Sequence, residues 1–166
     1  MSNKWTAGMM KPTVVRGTVI TNDLNYVLGT NVIKTGDLIR LSTTGTVEPA
    51  DADTAGCVHG IALANSVDKT AGKPFPVALF TPDTEIAIQM MAAKDQNDVA
   101  VGVAYNLDIT ANAQNLTVTT DGSSMAHVCG LASQDSWFDE QSTASYDQSV
   151  VYVKFSAACL SARIAA

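Results

Sequence analysis

Apolar residues along this chain come in short bursts, many of them β-branched, with turn-forming residues between them. Residues 13–20 are β-branched and bounded by Pro12 and the Asn22-Asp23 pair, which predicts a strand. Tyr26-Val27-Leu28 precedes Gly29, and Lys34-Thr35-Gly36-Asp37 has turn chemistry, since Gly supplies positive φ and Asp bonds its own backbone. Further strands are predicted at 38–41, 46–49, 58–63, 75–80 and 85–90, the last alternating as Glu-Ile-Ala-Ile-Gln-Met. Pro74 and Pro76 place the start of the 75–80 strand at a sheet edge, because proline cannot donate to a ladder. Later strands are expected at 99–105, 107–110, 116–120, 127–131 and 150–155, and Asp121-Gly122 carries the strongest hairpin signal. Helical periodicity is confined to residues 157–166, where Leu160 and Ile164 lie four apart. Many short strands at this spacing predict an all-β fold made of one or two small barrels.

One segment occurs twice in degraded form. Val58, Gly60, Ile61 and Ala62 map onto Val128, Gly130, Leu131 and Ala132 at an offset of seventy. Val77-Ala78-Leu79-Phe80 maps onto Tyr152-Val153-Lys154-Phe155 at seventy-five, and Ile39 and Leu41 map onto Leu107 and Ile109 at sixty-eight. The offsets differ through loop lengths, which vary freely. The chain therefore divides into an arm at 1–12, a first β lobe at 13–98 and a second at 99–166 with a short C-terminal tail, the two lobes forming one compact domain or two.

Composition narrows the function classes. The 166 residues are 46 % hydrophobic but only 16 % charged, with small neutral polar residues in place of the missing charges. Surfaces of this kind suit burial in an assembly. A net charge of −6 and thinly spread Lys and Arg argue against nucleic-acid binding, which needs concentrated cations. No apolar run approaches the roughly 20 residues of a membrane-spanning helix. The N-terminus lacks the apolar core of a signal peptide, and the odd cysteine set, Cys57, Cys129 and Cys159, reads as reduced thiols of a protein made in the cytoplasm.

Cys57-Val58-His59 and His127-Val128-Cys129 hold both histidines at matching repeat positions in reversed order. Residues i and i+2 share a strand face, so Cys57, His59, His127 and Cys129 are the set that a tetrahedral metal would use. Their spacing is not that of zinc modules, and no metal or other cofactor is expected. No nucleophile-elbow, Walker A or dinucleotide glycine sequence occurs, and a Cys–His dyad would need an orienting group and an oxyanion hole, so no catalytic residue is assigned. The acidic residues, including Asp51 and Asp53, fall mostly in turns. Two aromatic or apolar groups stand outside the strand pattern: Trp5, Met9 and Met10 in the arm, and Trp137-Phe138 in an acidic, Ser-rich insertion at 134–148. Both are candidate interface residues.

Thr35-Gly36-Asp37-Leu38, then Gly60-Ile61-Ala62-Leu63-Ala64, then the run from Gly72 through Lys73-Pro74-Phe75-Pro76 to Val77-Ala78-Leu79-Phe80, resembles the capsid cement (head decoration) proteins of tailed bacteriophages. The resemblance covers residues 34–90, with a weaker echo at 99–155. It implies a small β-barrel on the outer capsid surface of the virion, partnered by the major capsid protein, often as a trimer, and without catalytic residues. The chain departs from that pattern in its length and in the Trp137-Phe138 insertion. The expectation is a non-enzymatic virion structural protein that docks through its arm and loops and stabilises the lattice. The alternatives are a head fibre or tail accessory protein, or a carbohydrate-binding β-domain.

Overall fold

The structure is a computed structural model and describes residues 11–50, 58–91, 94, 96–110, 113–121, 124–131 and 150–162. In chain order the strands are β1 (Thr13–Arg16), β2 (Val19–Asn22), β3 (Val27–Leu28), β4 (Leu38–Leu41), β5 (Thr46–Pro49), β6 (Gly60–Ala62) and β7 (Val77–Phe80). They continue with β8 (Glu85–Gln89), β9 (Ala104–Tyr105), β10 (Leu107–Thr110), β11 (Ala113–Leu116), β12 (Ala126–Leu131) and β13 (Val150–Phe155), followed by one short helix, α1 (Ala157–Ser161). Six strands form one sheet in the order β2-β7-β6-β4-β5-β3, five form a second in the order β1-β8-β13-β12-β9, and β10-β11 is a separate ribbon. All ladders are antiparallel except that of β3 with β5.

The fold is all-β, as the pattern predicts, but the strands do not close into a barrel. Both sheets keep two edges among the described residues. Closure needs end strands that pair along a staggered register, and β3 and β9 have two residues each.

The strand expected over residues 13–20 is broken at Gly17, whose φ is +83° and whose added Cβ would lie 2.3 Å from the Asp83 carbonyl oxygen. Only glycine tolerates both conditions. The break sends β1 to β8 in the five-stranded sheet and β2 to β7 in the six-stranded one. Segment 13–98 thus contributes β1 and β8 to the sheet that holds β9, β12 and β13.

The main core lies between the sheets. Leu38, Val58 and Phe80 meet Ile86, Ile88, Met90, Val128, Val151, Val153 and Phe155 there. At its centre the Phe80 and Phe155 rings stack, with centroids 5.9 Å apart and planes 2° apart. These are the two phenylalanines that end the duplicated segment. The opposite face of the six-stranded sheet packs Ile39, Leu41, Ala62 and Val77 beneath Leu28, Ile33 and Phe75. On the five-stranded sheet, Ala87, Val150 and Tyr152 form a third buried group with Val15 and Cys129 beside it. Central strands β8 and β13 are therefore packed on both faces, with Ile86, Ile88, Val151 and Val153 in the main core and Ala87, Val150 and Tyr152 on the outer face.

The duplication appears as two like hairpins. β6 pairs with β7 and β12 pairs with β13, each antiparallel. The sequence offsets would set Gly130 opposite Lys154, but it faces Tyr152, two residues away, on the far side of a bulge between Val128 and Gly130. A slip of two keeps each side chain on its face. The third mapped pair diverges, because β4 pairs with β6 whereas β10 pairs with β11 and leaves its place beside β12 to β9.

Other expectations shift locally. β7 begins at Val77, just past Pro76, and lies between β2 and β6 rather than at an edge. Pro76 still serves the sheet as an acceptor from Leu63 N–H. The hairpin of this region is β10-β11, ahead of Asp121-Gly122, and residues 117–120 are not strand. Asp121 is held in its turn by Asn106, whose Nδ2 donates to Asp121 Oδ2 at 2.9 Å, and by Ser124 Oγ, which accepts from Asp121 N–H at 2.8 Å. Of the expected 157–166 stretch, α1 covers Ala157–Ser161, capped by Ser156 Oγ accepting from Cys159 N–H at 3.1 Å, and residues 163–166 lie outside the described residues.

Candidate functional site

Of the residues singled out by sequence, Trp5, Met9, Met10, Cys57, Trp137 and Phe138 lie outside the described residues. The remaining Cys/His positions do not share a site. His59 sits just before β6, only 2 % exposed, with both ring nitrogens engaged. Its Nδ1 accepts from Leu41 N–H at 2.9 Å, and its Nε2 donates to the Ala162 carbonyl. The imidazole extends the β4–β6 ladder beyond the last backbone pair and leaves no lone pair for a metal. His127 is on the other sheet, exposed, opposite Ala104 of β9 and Lys154 of β13. Among the described residues no three His, Cys, Asp or Glu side chains gather as a metal site requires.

Cys129 belongs instead to a polar cluster on the outer face of the five-stranded sheet. Its Sγ donates to Glu85 Oε1 at 3.1 Å, and Glu85 Oε2 accepts from Arg16 Nη1 at 3.0 Å. The Arg16 guanidinium lies 5.1 Å from the centroid of the Tyr152 ring, a cation–π distance. Burial, then the hydrogen bond to Glu85 and the carboxylate charge, push the Cys129 thiol up to about 12. Burial acts to raise Glu85, but the bonds from Arg16 and Cys129 and the Arg16 charge outweigh it and hold the carboxyl below its usual range. A thiol in this state is a poor nucleophile. The cluster ties β1, β8, β12 and β13 together and is structural.

A second polar tie runs through the core. Gln114 on β11 accepts from Leu38 N–H at 2.5 Å through Oε1, and donates through Nε2 to Leu38 O at 2.9 Å and Ala50 O at 3.3 Å. The amide completes the edge of β4 as a neighbouring strand would. Sequence reasoning missed both ties, since partners 44 and 76 residues apart leave no local signal.

The surface offers a different kind of feature. Large apolar side chains stand exposed chiefly on loops: Leu24 at 76 %, Val32 at 63 % and Val67 at 78 %, with Val101 and Val103 in the turn before β9 and Ile20 on edge strand β2. Val32 and Val67 are neighbours by construction, because Ile33 N–H donates to Ser66 Oγ at 2.9 Å and Ser66 N–H donates to Ile33 O at 2.8 Å. Thr35 N–H bonds Asn65 Oδ1 at 2.9 Å on the same seam. The loops are thus pinned to each other while their valines face water. The turn 34–37 that begins the segment is closed by Lys34 N–H to Asp37 Oδ2 at 2.7 Å, with Gly36 at φ +87°. Lys11, the first described residue, forms an ion pair with Asp37 of this turn at 2.5 Å.

Compared with known proteins, the sequence matches no family model and no curated protein.

Proposed function

We propose that this chain is a non-enzymatic virion protein that decorates the outside of a tailed-phage capsid and stabilises it by binding the lattice of its major capsid protein. The observation that carries this reading is the display of Leu24, Val32, Val67 and Val101 on loops of a charge-poor β framework. Scattered valines on pinned loops give many small apolar contacts. A lattice repeats such contacts in every capsomer, and avidity turns modest single affinities into stable occupancy. A protein that binds the assembled lattice better than free subunits stabilises it by mass action. The sequence resemblance over residues 34–90 points to the same role, with self-association, as a trimer, adding valency.

The test is copy number in particles of the phage whose genome encodes the chain, by quantitative mass spectrometry. Hundreds of copies per virion are expected. A few tens would favour a head fibre or tail accessory protein, and absence from particles would overturn the reading. Deleting residues 1–10 spares the Lys11–Asp37 pair and should leave the sheets folded while lowering capsid occupancy. Unchanged occupancy would remove the arm from the docking mechanism.

A further inference from the structure

Basic residues are spread thinly along the sequence, but the fold gathers four of the seven lysines at one corner. Loops 29–37 and 63–74 lie side by side there. Gly36 N–H donates to Ala62 O, Ser66 N–H to Ile33 O and Gly72 N–H to Leu28 O, each at 2.8 Å. Lys69 N–H bonds back to Ser66 O at 3.1 Å, and Lys73 O accepts from Leu28 N–H at 2.9 Å. Lys34, Lys69 and Lys73 are exposed on these loops, and Lys11 joins them through Asp37. Asp37 is half-buried with both carboxylate oxygens engaged, one by Lys11 Nζ and the other by Lys34 N–H. Asp68 is the one exposed acid of the two loops. Elsewhere Arg16, Arg40 and Lys94 are paired with Glu85, Glu48 and Asp98. Val32 at 63 %, Val67 at 78 % and Leu63 at 41 % stand exposed on the same two loops as the lysines.

We propose that this lysine–valine corner is a docking face for an acidic protein segment that carries apolar side chains between its carboxylates. The chain has a net charge of −6, so its overall field repels an acidic partner while this corner attracts one. Such local complementarity fixes the orientation of docking and speeds encounter. The valines and Leu63 supply the apolar contact, and loops already pinned to each other lose little freedom on binding. Loops 29–37 and 63–74 hold no arginine and no aromatic residue. Nucleic-acid recognition draws on those for phosphate forks and base stacking. Membrane-surface binding sinks larger side chains, such as Trp, Phe and Leu, from an amphipathic helix. A polypeptide is the class that fits both the lysines and the short branched side chains. The inference deepens the capsid reading by naming the chemistry of the docked surface, and it rests on that reading only for which protein supplies the segment.

The probe is a fluorescein-labelled peptide in which Glu alternates with Leu and Phe, titrated with the full chain at low ionic strength and followed by anisotropy. Binding should saturate, be on the order of tenfold tighter than for a twin peptide with Gln in place of Glu, and weaken as salt is raised. Combining Lys34→Glu, Lys69→Glu and Lys73→Glu should weaken it by more than about tenfold. Val32→Ser with Val67→Ser should weaken it by about tenfold while keeping the salt dependence. Lys94→Glu makes a charge change away from the corner and should stay within about twofold of wild type. Circular dichroism checks that each variant is folded, and the wild-type salt and Gln-twin comparisons stand without any variant. No saturable binding, equal affinity for the Gln twin, or a K94E loss equal to that of the triple variant overturns the proposal. Tighter binding to oligo-dT or to phosphatidylserine vesicles than to the peptide also overturns it, as does an oligomer of the chain that dissociates in the triple variant, which would assign the corner to a second copy. The titration uses the purified chain, so its failure is distinct from absence of the chain from particles.

Discussion

The two glycines of the duplicated segment should respond very differently to the same substitution. A Cβ on Gly60 would stand 2.0 Å from Ala78 O and 2.9 Å from Leu79 Cα, both backbone atoms of interior strand β7. Ordinary contact needs about 3.5 Å, so β6 and β7 would have to part by more than ~1 Å. Overpacking of this kind costs ~1–3 kcal/mol, and stretching the neighbouring Phe80 N–H to His59 O bond adds ~1 kcal/mol. Gly60→Ala should therefore destabilise by about 2–4 kcal/mol. The nearest atoms to a Cβ on Gly130 all belong to the Tyr152 side chain, with ring Cδ2 at 3.2 Å. The ring can yield by a few tenths of an ångström, and alanine removes unfolded-state freedom worth ~0.4–1 kcal/mol. Gly130→Ala should fall within about 1 kcal/mol of wild type. Urea unfolding followed by circular dichroism measures both. With a slope of ~2 kcal/mol per molar, G60A should lower the midpoint by about 1–2 M while G130A leaves it nearly unchanged. Equal midpoints, or a larger loss in G130A, would refute the close approach of β6 to β7.

Three further outcomes follow from the same contacts. Phe80→Ala and Phe155→Ala should each cost ~3–5 kcal/mol, and the double variant should fall short of their sum by ~0.5–1.5 kcal/mol for the lost stack; strict additivity in a double-mutant cycle would show that the rings do not interact. Gln114→Ala should cost about 1–3 kcal/mol, set by the orphaned Leu38 N–H, since Leu38 O keeps the Ala50 N–H bond at 2.9 Å; a neutral result by urea unfolding would remove Gln114 from the list of core ties. Glu85 has a depressed carboxyl pKa, so its contribution to stability is full above the ordinary carboxylate range and is lost as pH falls through the folded-state value. Glu85→Gln should flatten the fall in melting temperature between about pH 5 and 3 and shift iodoacetamide labelling of Cys129 to lower pH; an unchanged labelling profile would mean that the carboxylate does not hold the thiol.

What was legible in the sequence is what local chemistry decides. Strands β4, β5, β10 and β13 fall on their expected residues because each lies between turn residues and carries β-branched or aliphatic side chains. The Lys34–Asp37 turn was legible for the same reason, since Asp37 closes it from within. Sheet membership was not legible. Nothing in residues 13–20 announces that Gly17 divides them between two sheets, because its close neighbour, Asp83, is supplied from a distant loop. The Asp121-Gly122 signal was read as a hairpin because its local chemistry is that of a turn. Tertiary bonds to Asn106 use that turn to lead from β11 to β12, strands that do not pair with each other. The placement of the Cys/His pairs was not legible for a related reason. Matching repeat positions put His59 and His127 on corresponding hairpins, but corresponding hairpins belong to different sheets.

That placement also explains why both copies of the segment end in phenylalanine. Two like hairpins that belong to facing sheets present their equivalent inward side chains to each other across the core. Phe80 closes the inner row of β7 and Phe155 closes that of β13, so equivalent residues arrive at one point and stack. A pair of aromatic rings fills that space with contact worth more than its area alone. The same geometry does not constrain the outward-facing residues, and these are where the copies differ most. Ala62 and Val77 lie under Phe75 and Ile33 on one sheet, while Tyr152 and Cys129 lie beside Arg16 and Glu85 on the other. The shared inner face holds the molecule together, and each outer face is covered by different neighbours.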